Sequence, residues 1–139
     1  GHLVLGTLHT IDAPKAIDRM VDAFPPAQQS QIVAQLANAL EAVISQRLLP
    51  RAGGPGRVLA TEILVANTAV RATIRERRWE QLVGLIEIGA KDGMHIDESL
   101  ARLVREGQIS PEEAAANARD KNEIASATPP PPPKKGFFH

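Results

Sequence analysis

GHLVLGTLHT, residues 1 to 10, is the stretch whose reading decides the fold. Leu3, Val4 and Leu5 form an unbroken apolar run, and a strand apolar on both faces belongs inside a mainly parallel sheet covered by helices. The run then meets Gly6, Thr7, His9 and Thr10. In open α/β sheets, ligand-contacting groups gather beyond the carboxyl ends of the strands, so Thr7, His9 and Thr10 lie where such a fold places its chemistry. Strand alternation adds a constraint: His2 and His9 are an odd number of residues apart and cannot share a face of one regular strand. His9 reaches a ligand if the backbone leaves the strand near Gly6, and His2 then serves another neighbour. Spacing alone leaves open a purely structural, hydrogen-bonded His9, and an initial Gly-His is also a common cloning remnant.

Composition narrows the classes. A chain of 139 residues with 43% hydrophobic content suits one domain with a packed core. Basic and acidic residues number 16 each, so no global field draws nucleic acid or an anionic membrane. With 3% aromatic residues there is no set of stacking platforms for single strands, and no nucleic-acid partner is expected. The absence of cysteine excludes a disulfide framework and any thiolate metal site. No apolar stretch approaches the roughly 18 residues needed to span a bilayer, and the N-terminus lacks a signal peptide's charged start and apolar centre. The expectation is a soluble intracellular protein without direct membrane insertion.

Beyond the opening run, Asp12-Ala13-Pro14 reads as a helix N-cap with proline in the first turn. Ala13, Ile17, Met20, Val21 and Phe24 form its apolar face, opposite Lys15, Asp18, Arg19 and Asp22. Pro25 and Pro26 end it, and a longer helix follows over about 27–41 with Ile32, Val33, Leu36, Ala37 and Leu40 as its stripe. Residues 42–49 and 57–66, joined by Gly53-Gly54-Pro55-Gly56, read as a β-hairpin. Gln46 and Glu62 sit well inside its strands, either facing solvent or buried with hydrogen-bond partners.

After Asn67 and Thr68 the period turns helical. Arg71, Arg75, Arg77 and Arg78 concentrate positive charge there, relieved only by Glu76, and such a run ordinarily forms a solvated face. Trp79, Leu82, Val83, Leu85 and Ile86 make the next helix, with the tryptophan in the core and Gly89 as its stop. Asp97 to Val104 gives a further helix stopped by Gly107. Ser110, Pro111 and Glu113 form a capping box that opens a last helix to about Glu123. The five prolines Pro129 to Pro133 lie in a segment too poor in core residues to order itself, although Phe137 and Phe138 offer an apolar docking point.

The opening strand needs sheet neighbours on both edges, and one later hairpin does not supply them. The sheet is therefore expected to be incomplete on its N-terminal side. No G-x-x-x-x-G-K-[ST] phosphate loop and no strand-terminal acidic pair for magnesium occur in the sequence.

Taken together, several segments resemble one family, the secretion ATPases, and within it the type IV pilus retraction motors of the PilT kind. GHLVLGTLHT at 1 to 10 looks like their histidine box, and residues 13 to 51 resemble the helices and strand that follow it. TAVRATIRE at 68 to 76 looks like the retraction-specific motif that usually reads near AIRNLIRE. GMHIDESLARLVREGQIS at 93 to 110 is similar to the family's closing helices. Ile11 and Asp12 replace the small polar pair usual after the histidine box, and Ala72 and Thr73 replace the motif's Asn-Leu. Assembly motors and type II secretion ATPases generally carry a four-cysteine zinc site where this chain has AGGPG, which favours the retraction branch and implies no zinc.

The resemblance implies an α/β fold: the C-terminal part of a RecA-like ATPase core, three-layered with an incomplete sheet, followed by a cluster of small helices. It places core residues at 1–66, a helical subdomain at 67–124 and a disordered proline-rich tail at 125–139. By the same resemblance, His2 and His9 are catalytic histidine-box residues, with Thr7, His9 and Thr10 at the nucleotide and His9 near its γ-phosphate. Arg71, Arg75 and Glu76 form an exposed surface needed for retraction. ATP and Mg2+ are implied, with the phosphate loop and magnesium ligands upstream of this chain. Its partners would be a homo-hexamer and an inner-membrane pilus platform protein, in the cytoplasm at the pilus base. An assembly-type or type II secretion ATPase without its zinc loop, and a stand-alone α/β interaction module, are the competing readings.

Overall fold

The structure is a computed structural model that describes residues 1–88 and 93–127. The described residues form two compact units, 1–47 with 61–88 and 93–95, and 48–60 with 96–127. The hairpin of β1 (Ala42–Pro50) and β2 (Arg57–Val65) gives its base to the first and its tip to the second. Gly53 and Gly56 turn the chain at the tip with φ of 74° and 99°, a region that side chains with a Cβ rarely enter.

In the first unit, α1 (Ala13–Asp22), α2 (Pro26–Ala39), α3 (Thr68–Arg75) and α4 (Gln81–Ile88) enclose one apolar core. Ala13, Ile17 and Val21 enter it from α1, Val33 and Ala37 from α2, Val70 and Ile74 from α3, and Leu82 and Ile86 from α4. The spacing of four residues within each set is what puts them on one face. Asp12 accepts the Lys15 N–H at 2.9 Å and Asn67 accepts the Val70 N–H at 3.0 Å, each capping the helix it precedes. α3 ends in a left-handed residue, Arg77 at φ 54°. The Arg77 N–H bonds to Ile74 at 3.0 Å and the Arg78 N–H to Thr73 at 3.1 Å, which satisfies the last carbonyls. Trp79 packs half-buried against this core.

Strand alternation separates the two polar hairpin positions. Gln46 faces solvent, whereas Glu62 is 1% exposed and its Oε1 accepts the Ala13 N–H at 3.3 Å. The first N–H groups of a helix have no partner within it, and its positive end favours a carboxylate, so Glu62 anchors the start of α1. On the other edge of β2, Ile63 and Met94 exchange antiparallel hydrogen bonds of 2.7 and 3.1 Å.

In the second unit, α5 (Ile96–Arg105), α6 (Pro111–Asn117) and α7 (Lys121–Ala125) pack with Leu49, Val58 and Ala60 of the hairpin tip around Leu100, Val104, Ile109 and Ile124. One last helix was expected to run to Glu123, but two form, because Ala118 is extended at φ −76°, ψ 152°. The fully buried Asp97 explains the break: its carboxylate accepts the N–H groups of Arg119 at 2.8 Å and Asp120 at 2.7 Å. Asp120 then caps α7. Only half of the expected capping box closes: Ser110 accepts the Glu113 N–H at 3.1 Å, while the Glu113 carboxylate accepts from the Asn117 amide at 3.1 Å. The exposed Glu112 carboxyl is held below its ordinary pKa by its own backbone N–H and then by the Ser110 hydroxyl.

Other expectations give way. Residues 1–10 form no strand, and Leu3, Val4 and Leu5 are 81%, 81% and 89% exposed. An apolar run becomes a strand only where a neighbouring edge supplies ladder bonds, and among the described residues none pairs with it. Phe24, assigned to the buried face of α1, is 40% exposed because it lies beyond the last helical turn. α2 stops at Ala39 rather than Glu41, since Leu40 turns extended at ψ 129°. The stop at Gly89 and the run Pro129 to Pro133 lie outside the described residues.

Replacing Asp97 by Ala strands two backbone donors and is expected to cost about 2–3 kcal/mol. Urea unfolding of the chain checks this, and an unchanged midpoint would mean that Arg119 and Asp120 find other acceptors.

Candidate functional site

His9 and Thr10 lie just ahead of α1, whose start is fixed by the Asp12 cap and by Glu62 on Ala13. Beside them is an open depression of about 400 Å³ lined by His9, Thr10, Ile11, Lys15, Asp18, Arg19 and Asp22. Lys15 and Arg19 are one helical turn apart, as are Asp18 and Asp22, so each pair projects to one side of α1. Lys15 Nζ is 3.9 Å from Asp12 Oδ2 and its side chain is mostly exposed, a loose pairing that leaves the ammonium able to meet an anion. An exposed imidazole, a threonine hydroxyl, Lys15 in the first turn of α1 and Arg19 in its last turn are donors that a phosphate group can use, with Asp18 and Asp22 lining the same depression.

The structure therefore brings together His9 and Thr10 and sets His2 and Thr7 apart, exposed and outside the depression. Lys15 and Arg19 were assigned only to the solvent face of an amphipathic helix. Their position within the first two turns of the helix that follows His9 was the available signal.

The arginine run is not a simple solvated face. Arg71 Nη1 donates to the carbonyl oxygens of Ala37 at 2.9 Å and Asn38 at 2.7 Å, and its Nη2 lies 3.5 Å from Glu41 Oε1. Arg75 Nη2 donates to Asn38 Oδ1 at 2.7 Å, and Arg77 Nη2 to Ser30 Oγ at 3.3 Å. The last carbonyls of a helix lack partners within it and carry its negative end, which is what a guanidinium satisfies best. Arg71 is accordingly only 23% exposed in its side chain. The ion pair with the outlying Glu41 adds little in water. Glu76 is exposed at the end of α3, with Arg78 Nε 3.2 Å from its Oε2. Nothing local in the sequence announced the clamp, because its partners lie 33 to 37 residues away.

Among the described residues no helix is long and apolar enough to cross a membrane. In comparisons with known proteins, the family described as "Type II/IV secretion system protein" matches residues 1–116. The "Twitching motility protein" of Neisseria gonorrhoeae is 45% identical over 126 residues, 90% of this chain and 34% of that protein. The "Type IV pilus retractation ATPase PilT" of Pseudomonas aeruginosa is 45% identical over 125 residues, 89% of this chain and 35% of that protein. The crystal structure of the pilus retraction motor PilT with bound ADP aligns with a TM-score of 0.74 at 44% identity, over 88% of this chain and 34% of that one. The chain thus spans about a third of the length of these relatives. A match over residues 1–116, together with this identity, settles the family: the chain belongs to the type II/IV secretion system proteins.

Proposed function

We propose that this chain is the C-terminal part of a hexameric motor ATPase that couples ATP hydrolysis to type IV pilus retraction and twitching motility. The observation that carries the reading is the 45% identity, over about nine-tenths of the chain, to proteins named for twitching motility and pilus retraction. The complete lack of cysteine supports the retraction branch, since a thiolate zinc site is impossible here.

In this reading the depression beside His9 takes the phosphate end of ATP. His9 and Thr10 donate hydrogen bonds to phosphate oxygens, and Lys15 and Arg19 offset their charge. A hydrogen bond from His9 to the γ-phosphate exists with ATP and is lost with ADP, and such a differential contact is what lets a ligand bias a conformational equilibrium. Thr7 joins the site when the run Leu3–Leu5 lies in a complete sheet, and His2, the other histidine-box residue, then serves a neighbouring element. Mg2+ accompanies the nucleotide on ligands that this chain does not carry. Arg71, Arg75 and Glu76 belong to the retraction motif: the two arginines tie α3 to the end of α2, and the exposed end of α3 with Glu76 faces the working partner, an inner-membrane pilus platform protein, from the cytoplasmic side.

Replacing His9 by Ala in the full-length protein removes a charge-assisted hydrogen bond of about 1.5–3 kcal/mol and should lower kcat for ATP about tenfold or more. Turnover and motility both at the parental level would take His9 out of the mechanism. The double replacement of Arg71 and Arg75 by Ala should spare ATP turnover and abolish retraction; parallel loss of both activities would make α3 merely a structural support.

A further inference from the structure

Asn38 is held twice by α3. Its backbone carbonyl accepts from Arg71 and its side-chain Oδ1 from Arg75, both at 2.7 Å. The first bond closes the end of α2 and would form with almost any residue at this position. The second does not: it needs a side-chain acceptor at residue 38, and it satisfies no backbone group. Both Asn38 and Arg75 are exposed, so this bond adds little to stability while it immobilises a long side chain. An interaction of that kind fixes geometry.

Its place in the first unit indicates which geometry. Residues 9 and 10 lead directly into α1, α1 packs on α2, and α2 packs on α3, all within one core. Immediately past Asn38 the chain turns: Leu40 is extended, its N–H bonds to Leu36 at 2.8 Å, and the Glu41 carbonyl accepts the Ala66 N–H at 2.9 Å. The Asn38 side chain thus links the corner where α2 becomes the hairpin to the second arginine of α3.

We propose that Asn38 is a positioning residue for the retraction motif. Its Oδ1 sets the direction of the Arg75 guanidinium against the end of α2, and with it how α3 presents the retraction motif. The proposal rests on the retraction role put forward above.

The test uses the full-length protein with Asn38→Ala, Asn38→Asp, Arg75→Ala and the double variant Asn38→Ala/Arg75→Ala, each assayed for ATP turnover and pilus-dependent motility. Asn38→Ala should keep turnover within about twofold and lower motility at least about fivefold. The double variant should be no worse than Arg75→Ala alone, because both changes break one bond. Asn38→Asp, which keeps an acceptor for Arg75, should restore motility. Parental motility in Asn38→Ala, a parallel loss of turnover, independent losses in the double variant or no rescue by Asp would each overturn the proposal while leaving the retraction reading in place. A failure of the retraction reading appears instead on removal of the whole protein, as motility that persists without it, and the proposal then falls too.

Discussion

Helix ends must satisfy backbone groups that the helix itself cannot, and this chain meets that constraint with charged side chains brought from far along the sequence. Glu62 reaches the start of α1 across 49 residues, Asp97 the entrance of α7 across 22 and 23, and Arg71 the end of α2 across 33 and 34. Each sign matches the helix dipole at the end it serves or the donors it accepts. Apolar burial holds the helices together, but it is non-directional. These charged contacts fix the start of α1, the end of α2 and the entrance of α7, and hence where His9 stands relative to its helix.

The same distinction separates what was legible in the sequence from what was not. Asp12 and Ser110 were readable as caps because their partners lie three residues on, and the hairpin turn was readable from its glycines, which take the positive φ seen at Gly53 and Gly56. Amphipathic faces were readable because helical spacing is local. The opposite fates of Gln46 and Glu62, the break between α6 and α7 and the anchoring of Arg71 all depend on residues more than twenty positions away. The Leu3–Leu5 run illustrates the limit from the other side: its apolarity states a demand for cover, and only sheet neighbours can meet it.

At the candidate site, His9 and Thr10 were found from their position after an apolar run, whereas Lys15 and Arg19 emerged only once the turn into α1 was fixed. The arginine helix changed character more. A run of like charges suggested solvent or a partner, yet Arg71 and Arg75 are spent on the end of α2. What α3 offers outward is then set by that attachment, with Glu76 and Arg78 at its exposed end. On the proposed reading, nucleotide and partner are connected through three helices sharing one core rather than by direct contact.

Amide hydrogen exchange of the full-length protein, compared between a non-hydrolysable ATP analogue and ADP, tests that connection most directly. The Ala13 and Ala16 amides at the start of α1 and the Leu40 amide at the end of α2 should change protection together. A change confined to α1, with Leu40 indifferent to the nucleotide, would contradict the account.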